Sequence, residues 1–298
     1  MVSQILKKKL KKPYWLKINF PTDSKNFCNI KNILRKNNLN TVCEEAHCPN
    51  IFECFHSGTA TFMILGSICT RKCPFCAVSK GRANFVDLDE PKKLALVISK
   101  LNLKHVVITS VTRDDLRDKG VMHFCRCIQE IRKKNNVTIE ILVPDFRGVL
   151  KIVLKRFKKN LPDVFNHNIE NVPRLYSKIR PGANYQDSLK LLYNFHKKFP
   201  TVYIKSGLMV GLGENLKEIL EVLKDLRSVG VSMLTIGQYL QPSKYHLPVK
   251  KYFTPSEFKK LKSIAISLGF SNVFSGVFVR SSYHAETQTK NINLRIKK

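Results

Sequence analysis

Six of the nine cysteines lie between positions 43 and 76 and form two triplets with different spacings, C-x4-C-x5-C and C-x3-C-x2-C. The members are Cys43, Cys48 and Cys54, followed by Cys69, Cys73 and Cys76. In a reducing compartment such clustering indicates metal binding or redox chemistry more than a disulfide framework. Three close thiolates can hold three corners of a cubane iron–sulfur cluster, whereas a closed zinc site needs a fourth ligand nearby. Each triplet therefore predicts a cluster with one metal open to another ligand.

The first triplet lacks an obvious fourth ligand at the same spacing. His47 and His56 are near in sequence, and a distant residue is a third option. The sequence pattern alone leaves the three options open.

The second triplet follows an apolar run. Residues 61–65, bounded by Gly58 and Gly66, predict a buried strand that leads into the loop of Cys69. A C-x3-C-x2-C loop directly after a first strand resembles the radical S-adenosylmethionine superfamily, with a structural zinc knuckle as the alternative. The resemblance implies that S-adenosylmethionine chelates the open iron and that reduction of the cluster releases a 5′-deoxyadenosyl radical.

Both triplets in this order, followed by Ala-Val-Ser-Lys-Gly-Arg at 77–82, resemble the lipoyl synthase family. The stretch 280–286 matches the R-S-S-Y-x-A motif of that family, in which the second serine is the fourth ligand of an auxiliary cluster. That role falls on Ser282. A hard oxygen ligand holds iron less firmly than a soft thiolate, which suits a cluster that must be broken. Taken alone, Ser281-Ser282 would indicate only a solvated turn near a terminus.

The resemblance extends from about Lys12 to Glu286. Further matching stretches lie at 144–148, 166–170, 180–183, 205–214 and 237–240. The chain departs from the family at Phe52, Phe55 and Thr112, where Gly, Trp and Asp are common. Because a Gly-to-Phe change adds bulk and restricts the backbone, we expect an altered loop geometry beside the first triplet.

The resemblance implies insertion of sulfur at C6 and C8 of an octanoyl chain on a lysine of a carrier protein. Unactivated C–H bonds offer no acidity to a general base, so the cofactors must supply a radical. The implied cofactors are S-adenosylmethionine and two [4Fe-4S] clusters, with the auxiliary cluster on Cys43, Cys48, Cys54 and Ser282 as sulfur donor. The implied partners are the lipoyl domains of 2-oxoacid dehydrogenase E2 subunits, the glycine cleavage H protein, ferredoxin or flavodoxin as reductant, and an iron–sulfur cluster carrier.

Apolar runs alternate with helical patterns along the chain and predict an α/β fold, a partial (β/α)6 TIM-like barrel. The six predicted strands are 61–66, 105–111, 138–143, 163–168, 202–210 and 231–237. Helices are predicted after Gly213 and from Thr254, where Pro255 and Glu257 complete a capping box. The predicted organisation is an N-terminal extension 1–57 with the auxiliary-cluster cysteines, a radical S-adenosylmethionine barrel 58–270, and a C-terminal extension 271–298 with the serine.

In barrels of this type, functional residues gather at the C-terminal ends of the strands. Five polar residues at predicted strand ends are expected to contact S-adenosylmethionine: Thr109, Ser110, Asn168, Glu170 and Lys205. Capping of the next helix is the alternative for each of them. The Gly-Gly-Glu motif common in the superfamily is absent after the second strand, so the contact to the methionyl amino group is left unassigned.

The chain carries 52 Lys and Arg against 22 Asp and Glu, a net charge of +30. Such a charge favours nucleic acid, an anionic membrane or an acidic protein as partner, and codon bias explains it equally well. No nucleic-acid recognition motif appears, no apolar run approaches the roughly 18 residues that cross a bilayer, and no signal segment follows Lys7–Lys12. We therefore expect a cytoplasmic protein that binds no nucleic acid and uses part of its basic surface to steer an acidic carrier.

Two alternatives stay open on the sequence. One is a different sulfur-inserting enzyme of the same superfamily, against which the R-S-S-Y-x-A motif and the triplet order argue. The other is a basic nucleic-acid-binding protein with structural zinc, which would be colourless, whereas two cubanes give a brown protein with about eight irons.

Overall fold

The computed structural model describes residues 10–17, 25–56 and 60–289. Within these ranges the chain forms one eight-stranded sheet, in the spatial order β1 to β8. The strands are β1 (Asn40–Thr41), β2 (Thr61–Ile64), β3 (His105–Ser110), β4 (Thr138–Leu142), β5 (Val164–Asn166), β6 (Tyr203–Val210), β7 (Met233–Gln238) and β8 (Asn272–Gly276). β1 runs antiparallel to β2, and every other neighbouring pair is parallel. Within these ranges no ladder joins β8 to β1, so the barrel is open on one side.

Helices connect the parallel strands, because parallel neighbours need a long crossover connection. The helices are α1 (Lys25–Lys36), α2 (Val42–Glu45), α3 (Ile51–His56), α4 (Glu90–Lys100), α5 (Val121–Lys134), α6 (Leu150–Phe157), α7 (Pro173–Ile179), α8 (Tyr185–Lys198), α9 (Leu216–Ser228), α10 (Pro255–Ser267) and α11 (Ala285–Thr289). Strands β2, β5 and β7 are buried along their whole length because helices cover the outer face of the sheet and side chains fill the inner one.

The α/β class and the partial barrel are confirmed. The six predicted strands correspond to β2 to β7, and the structure adds a seventh parallel strand, β8, inside the range predicted as the C-terminal extension. β8 escaped prediction because Val273 is its one buried residue, and Asn, Ser and Gly surround the short apolar pair. The predicted boundary between residues 57 and 58 lies outside the described residues.

The two predicted helices after Gly213 and Thr254 are present as α9 and α10. Thr254 and Glu257 form the reciprocal capping box that the sequence indicates. Asn215 and Glu218 form a second capping box at the start of α9, and Leu216 is 43% exposed because it occupies the first position of this helix. Among the described residues, no helix is long and apolar enough to cross a membrane.

Candidate active site

One cavity of about 570 Å³ opens at the C-terminal ends of the parallel strands. All six triplet cysteines and Ser282 line it. Strands β3 to β7 each contribute residues from their C-terminal ends or the positions just beyond: Ser110, Val143, Asn168, Met209 and Gln238. The fold thus brings both triplets and the distant serine to a single space.

The second triplet occupies the loop after β2. Backbone hydrogen bonds shape this loop, with the Cys69 N–H donating to the Ser79 carbonyl oxygen at 2.8 Å. In the segment after β7, His246 Nε2 contacts the carbonyl oxygen of Cys76 at 3.1 Å. The loop is therefore held at both ends of the triplet by protein contacts alone.

Burial sets the protonation state of the cysteines. Desolvation, with a smaller contribution from Cys48, raises the pKa of Cys43 to about 12, and desolvation raises that of Cys76 to about 11. The pKa of Cys48 and that of Cys73 are raised for the same main reason. The metal-free chain thus holds these groups as neutral thiols, and a cation must accompany each buried thiolate.

The arrangement fits iron–sulfur clusters better than single ions. Among the described residues, no three His, Cys, Asp or Glu side chains converge on a point where one ion would bind. In a cubane the three cysteines bind three different irons and stand apart, so this spread is the expected one. All nine cysteines are free thiols, six of them on the cavity wall.

Ser282 lies beside the first triplet although it is far from it in sequence. Its hydrogen-bond partner, Thr61, lies 221 positions earlier in the chain. The Thr61 hydroxyl donates to Ser282 Oγ at 2.7 Å, and Thr61 also hydrogen-bonds the Cys43 thiol. Of the other options for the fourth ligand, His47 lines the cavity, whereas His56 is exposed and does not. The structure therefore connects Ser282 to Cys43 through one intervening residue, Thr61.

The segment that carries Ser282 is fastened to α3. Asn50 donates from Nδ2 to the carbonyl oxygen of Phe278 at 2.7 Å. The Tyr283 hydroxyl donates to the Glu53 carboxylate, with 2.9 Å between Tyr283 Oη and Glu53 Oε1. Contacts on both sides of Ser282 thus join this segment to Asn50, just before α3, and to Glu53 in α3, the helix that carries Cys54.

Two glycines make room for this segment over the strand ends. A Cβ added at Gly207 would lie 2.5 Å from Asn168 Oδ1 and 2.9 Å from Ser281 Oγ, and one at Gly237 would overlap the Val279 carbonyl oxygen. Ser281 donates to Asn168 Oδ1 at 2.8 Å in the space that Gly207 leaves. Glycine is needed here for close approach of the chain and not for a left-handed backbone.

Four of the five residues expected to contact S-adenosylmethionine line the cavity. Thr109 donates to the Leu142 carbonyl oxygen at 2.9 Å, and Asn168 donates to Glu170 Oε1 at 3.2 Å. Ser110 Oγ is buried without a hydrogen-bond partner among the described residues, which is rare for a buried hydroxyl and leaves it available to a ligand. Desolvation raises the pKa of Glu170, the fourth of these residues.

Lys205 is not brought to the cavity. Its side chain is fully buried in the barrel interior, where Nζ lies 2.8 Å from Glu140 Oε1, and Asn166 donates to the same oxygen at 2.9 Å. Although burial acts to raise the pKa of Glu140, Lys205 and His105 hold it at about 2. Lys205 is thus part of an internal ion pair.

Two arginines that the sequence analysis did not single out flank Glu170. Arg180 donates from Nη1 to the Asn168 carbonyl oxygen at 3.0 Å, and both Arg180 and Arg280 act to lower the pKa of Glu170 against its burial. Arg280 also faces Cys48. Both arginines lie in stretches that match the family, 180–183 and 280–286. This match is the only feature of the sequence that points to them as site residues.

The family departures at Phe52 and Thr112 have structural explanations. Phe52 on α3 stacks on Phe27 of α1, with 4.8 Å between ring centroids and an interplanar angle of 18°. Phe52 is not among the cavity-lining residues, so its large side chain packs against α1 and does not fill the cavity. Thr112 acts through its main chain, whose carbonyl oxygen accepts the Thr70 N–H at 3.1 Å.

Comparisons with known proteins agree with these features. Residues 63–226 match the model of the radical SAM superfamily, and residues 2–48 match that of the N-terminal domain of lipoyl synthase. A lipoyl synthase of Buchnera aphidicola subsp. Cinara cedri is 65% identical over 293 residues, which cover 97% of this chain and 94% of that protein. A lipoyl synthase of Vibrio cholerae is 59% identical over 290 residues, 97% of this chain and 90% of that protein.

Solved structures share the fold at low identity. Methylornithine synthase (PylB) superposes with a TM-score of 0.54 at 15% identity, over 71% of this chain and 63% of its own. Streptococcus suis SuiB superposes with a TM-score of 0.56 at 12% identity, over 92% of this chain and 59% of its own. At this identity the likeness concerns the barrel alone.

Proposed function

The chain belongs to the lipoyl synthase family, and from this membership we propose how its residues share the sulfur insertion for which the family is known. The second triplet, Cys69, Cys73 and Cys76, holds the [4Fe-4S] cluster that binds S-adenosylmethionine. The auxiliary [4Fe-4S] cluster is held by Cys43, Cys48, Cys54 and Ser282. The observation that carries this assignment is the hydrogen-bonded connection from Cys43 through Thr61 to Ser282. Family membership excludes the zinc protein and the other sulfur-inserting enzymes.

When bound, the two clusters and S-adenosylmethionine supply the hydrogen-abstracting radical and the sulfur. The chain's own residues bind, orient and shield these groups. Ser110 offers its unpaired hydroxyl, and the Glu170 carboxylate is suited to an amino group of S-adenosylmethionine. Thr109 and Asn168 complete the polar wall of the cavity.

The choice of serine matters because the family degrades its auxiliary cluster. An oxygen ligand is harder than thiolate and holds iron less firmly in a sulfide-rich site. Three cysteines then retain the remaining cluster while one corner is released. The contacts of Asn50 and Tyr283 keep Ser282 in reach without a covalent bond.

The substrates of this family are octanoylated carrier proteins, and we assign as carriers the lipoyl domains of 2-oxoacid dehydrogenase E2 subunits and the glycine cleavage H protein. Ferredoxin or flavodoxin supplies electrons, and an iron–sulfur cluster carrier restores the auxiliary cluster, all in the cytoplasm. Residues 1–57 and 271–298 serve as cluster-carrying extensions of the barrel 58–270, and β8 ties the second extension to the sheet.

Two cysteine variants test the assignment. The reaction mixture contains anaerobically reconstituted protein, S-adenosylmethionine, a reductant and an octanoyl-lysyl peptide, and mass spectrometry follows the products. Cys43→Ala is expected to form 5′-deoxyadenosine without inserting sulfur, whereas Cys73→Ala forms neither product. Cys28→Ala, at an exposed position on α1, is the control and retains both. Lipoyl product from Cys43→Ala would contradict the donor assignment.

A further inference from the structure

Arg71 lies inside the second triplet, between Cys69 and Cys73, yet its side chain turns inward and the residue is 8% exposed. Its guanidinium binds two carboxylates at once. Nε and Nη2 donate to the two oxygens of Asp114 at 2.6 and 3.0 Å. Nη1 and Nη2 donate to the two oxygens of Asp145 at 2.6 and 2.8 Å. We call these three residues the Arg71 clamp.

The two carboxylates come from different parts of the barrel. Asp114 follows β3 and Asp145 follows β4, at separations of 43 and 74 residues from Arg71. A planar guanidinium with fixed donors defines the relative orientation of both carboxylates, which a lysine ammonium would not do. The clamp therefore ties the cysteine loop to two strand ends simultaneously.

The residue before Arg71 strengthens this attachment. Thr70 donates from its hydroxyl to the Thr112 carbonyl oxygen at 2.9 Å and accepts the Asp114 N–H at 3.0 Å. The loop between Cys69 and Cys73 is thus fastened by main-chain and side-chain bonds to the same segment after β3.

The clamp also has a direct contact with a cysteine. The backbone N–H of Arg71 donates to Cys69 Sγ, with 3.4 Å between nitrogen and sulfur. Hydrogen bonds to ligand sulfurs are among the factors that set the reduction potential of iron–sulfur clusters. A side chain that fixes the Arg71 peptide therefore fixes a hydrogen bond to one proposed iron ligand.

We propose that Arg71 is a positioning residue for the S-adenosylmethionine-binding cluster, whose clamp holds the cysteine loop in its ligand-ready form before iron arrives. The inference rests on the proposed assignment of Cys69, Cys73 and Cys76. A preorganised loop loses less conformational freedom when the cluster binds, and its sulfur hydrogen bond is already in place.

Amide hydrogen exchange of the iron-free protein tests the clamp without any cluster chemistry. Arg71→Gln and Arg71→Lys are expected to exchange the amides of residues 70–76, apart from Pro74, which has none, at least tenfold faster than the unmodified chain. Arg174→Gln is the matched control, because Arg174 forms the same forked pair with Glu218 at the surface, at 2.5 and 3.0 Å. Wild-type exchange in Arg71→Lys would overturn the proposal.

Asp114→Asn keeps the test decisive if the arginine variants do not fold. The Asp114 side chain is 32% exposed, so its substitution removes the negative charge and one of the two acceptor oxygens from this half of the clamp without opening the core. The expected result is again faster exchange of residues 70–76, and unchanged exchange would overturn the clamp.

The reconstituted protein gives a second readout. Arg71→Gln is expected to carry about four irons in place of about eight, and any remaining S-adenosylmethionine-binding cluster shifts its midpoint potential in a redox titration followed by electron paramagnetic resonance. Cys73→Ala distinguishes an error in the assignment of the iron ligands from an error in the role of the Arg71 clamp. If Cys73→Ala keeps both clusters, the ligand assignment fails. If it loses one while Arg71→Gln keeps both at an unchanged potential, the clamp alone fails.

Discussion

Replacing Thr61 by valine removes one hydroxyl from between two proposed ligands of the auxiliary cluster while keeping the branched shape of the side chain. Thr61 lies in β2 and is 4% exposed. Its hydroxyl donates to Ser282 Oγ at 2.7 Å, and the residue also hydrogen-bonds the Cys43 thiol. The substitution therefore tests whether this contact supports the serine as an iron ligand.

The size of the effect follows from the charge on the serine. A hydrogen bond between neutral groups contributes about 0.5–1.5 kcal/mol, and one to a charged group about 1.5–3 kcal/mol. A serine oxygen on iron carries negative charge, so donation from Thr61 stabilises the bound form more than the free hydroxyl. Loss of about 1.5–3 kcal/mol weakens retention of the serine-ligated iron roughly tenfold to a hundredfold.

Iron release to a chelator under anaerobic conditions measures this retention. Thr61→Val is expected to release the first iron of the auxiliary cluster faster by that factor, and Thr61→Ser restores the slow rate. Thr235→Val is the matched control, because Thr235 is 3% exposed on β7 and its hydroxyl lies 3.5 Å from the Ser206 carbonyl oxygen. Equal release rates in Thr61→Val and Thr235→Val would refute the role of Thr61.

Three further variants test the barrel and its mouth. Lys205→Met leaves the buried Glu140 carboxylate without its ion-pair partner and is expected to lower the free energy of unfolding by about 3–5 kcal/mol. The double variant Lys205→Met with Glu140→Leu is expected to recover most of this loss. Urea denaturation measures both. Burial, then Arg180, lowers the pKa of His167 to about 4 from 6.5. Between pH 6.5 and pH 4 the unfolded chain therefore binds more protons than the folded chain. The free energy of unfolding is highest above pH 6.5 and is expected to fall by about 3 kcal/mol as the pH drops to 4. Urea denaturation of His167→Gln should not show this pH dependence. Gly207→Ala places a methyl group 2.9 Å from Ser281 Oγ and is expected to cost about 1–3 kcal/mol and to reduce lipoyl product more than 5′-deoxyadenosine, as mass spectrometry would measure.

Residues with distinctive spacing, such as the cysteines, can be singled out from the sequence. Residues whose role depends on how far along a strand they lie, and thus on whether they reach the cavity, cannot. Both Ser110 and Lys205 were expected at the cavity, although Ser110 is near the end of its predicted strand 105–111 and Lys205 is inside its predicted strand 202–210. Ser110 ends β3 at the cavity, whereas Lys205 is the third residue of an eight-residue strand and pairs with Asn166 and Met233. The register between neighbouring strands sets that depth, and hydrophobic patterns within one strand do not reveal it.

Long-range contacts explain why Arg71 and Ser282 differ in predictability. Ser282 lies in the six-residue motif R-S-S-Y-x-A, so the family resemblance identified it although its partner Thr61 is 221 positions away. Arg71 precedes Lys72 in a lysine-rich chain, and nothing local distinguishes a buried arginine from a solvated one. Its role depends on two aspartates that only the fold brings together, and β3 and β4 must be adjacent before those residues meet.

The net charge of +30 lies mainly on the surface, because buried acidic residues are balanced by buried basic ones. Glu90, Glu140 and Asp145 are buried, and Glu170 lines the cavity, so these carboxylates act inside the molecule. Lys72, beside the cysteine loop, is exposed. Because Lys205 and Arg71 pair with Glu140 and Asp145, the buried charges nearly cancel, and the net positive charge belongs to the surface that a docking partner meets. The charge therefore describes the surroundings of the site, while the chemistry resides in cysteines, a serine and paired carboxylates that together contribute little to the total.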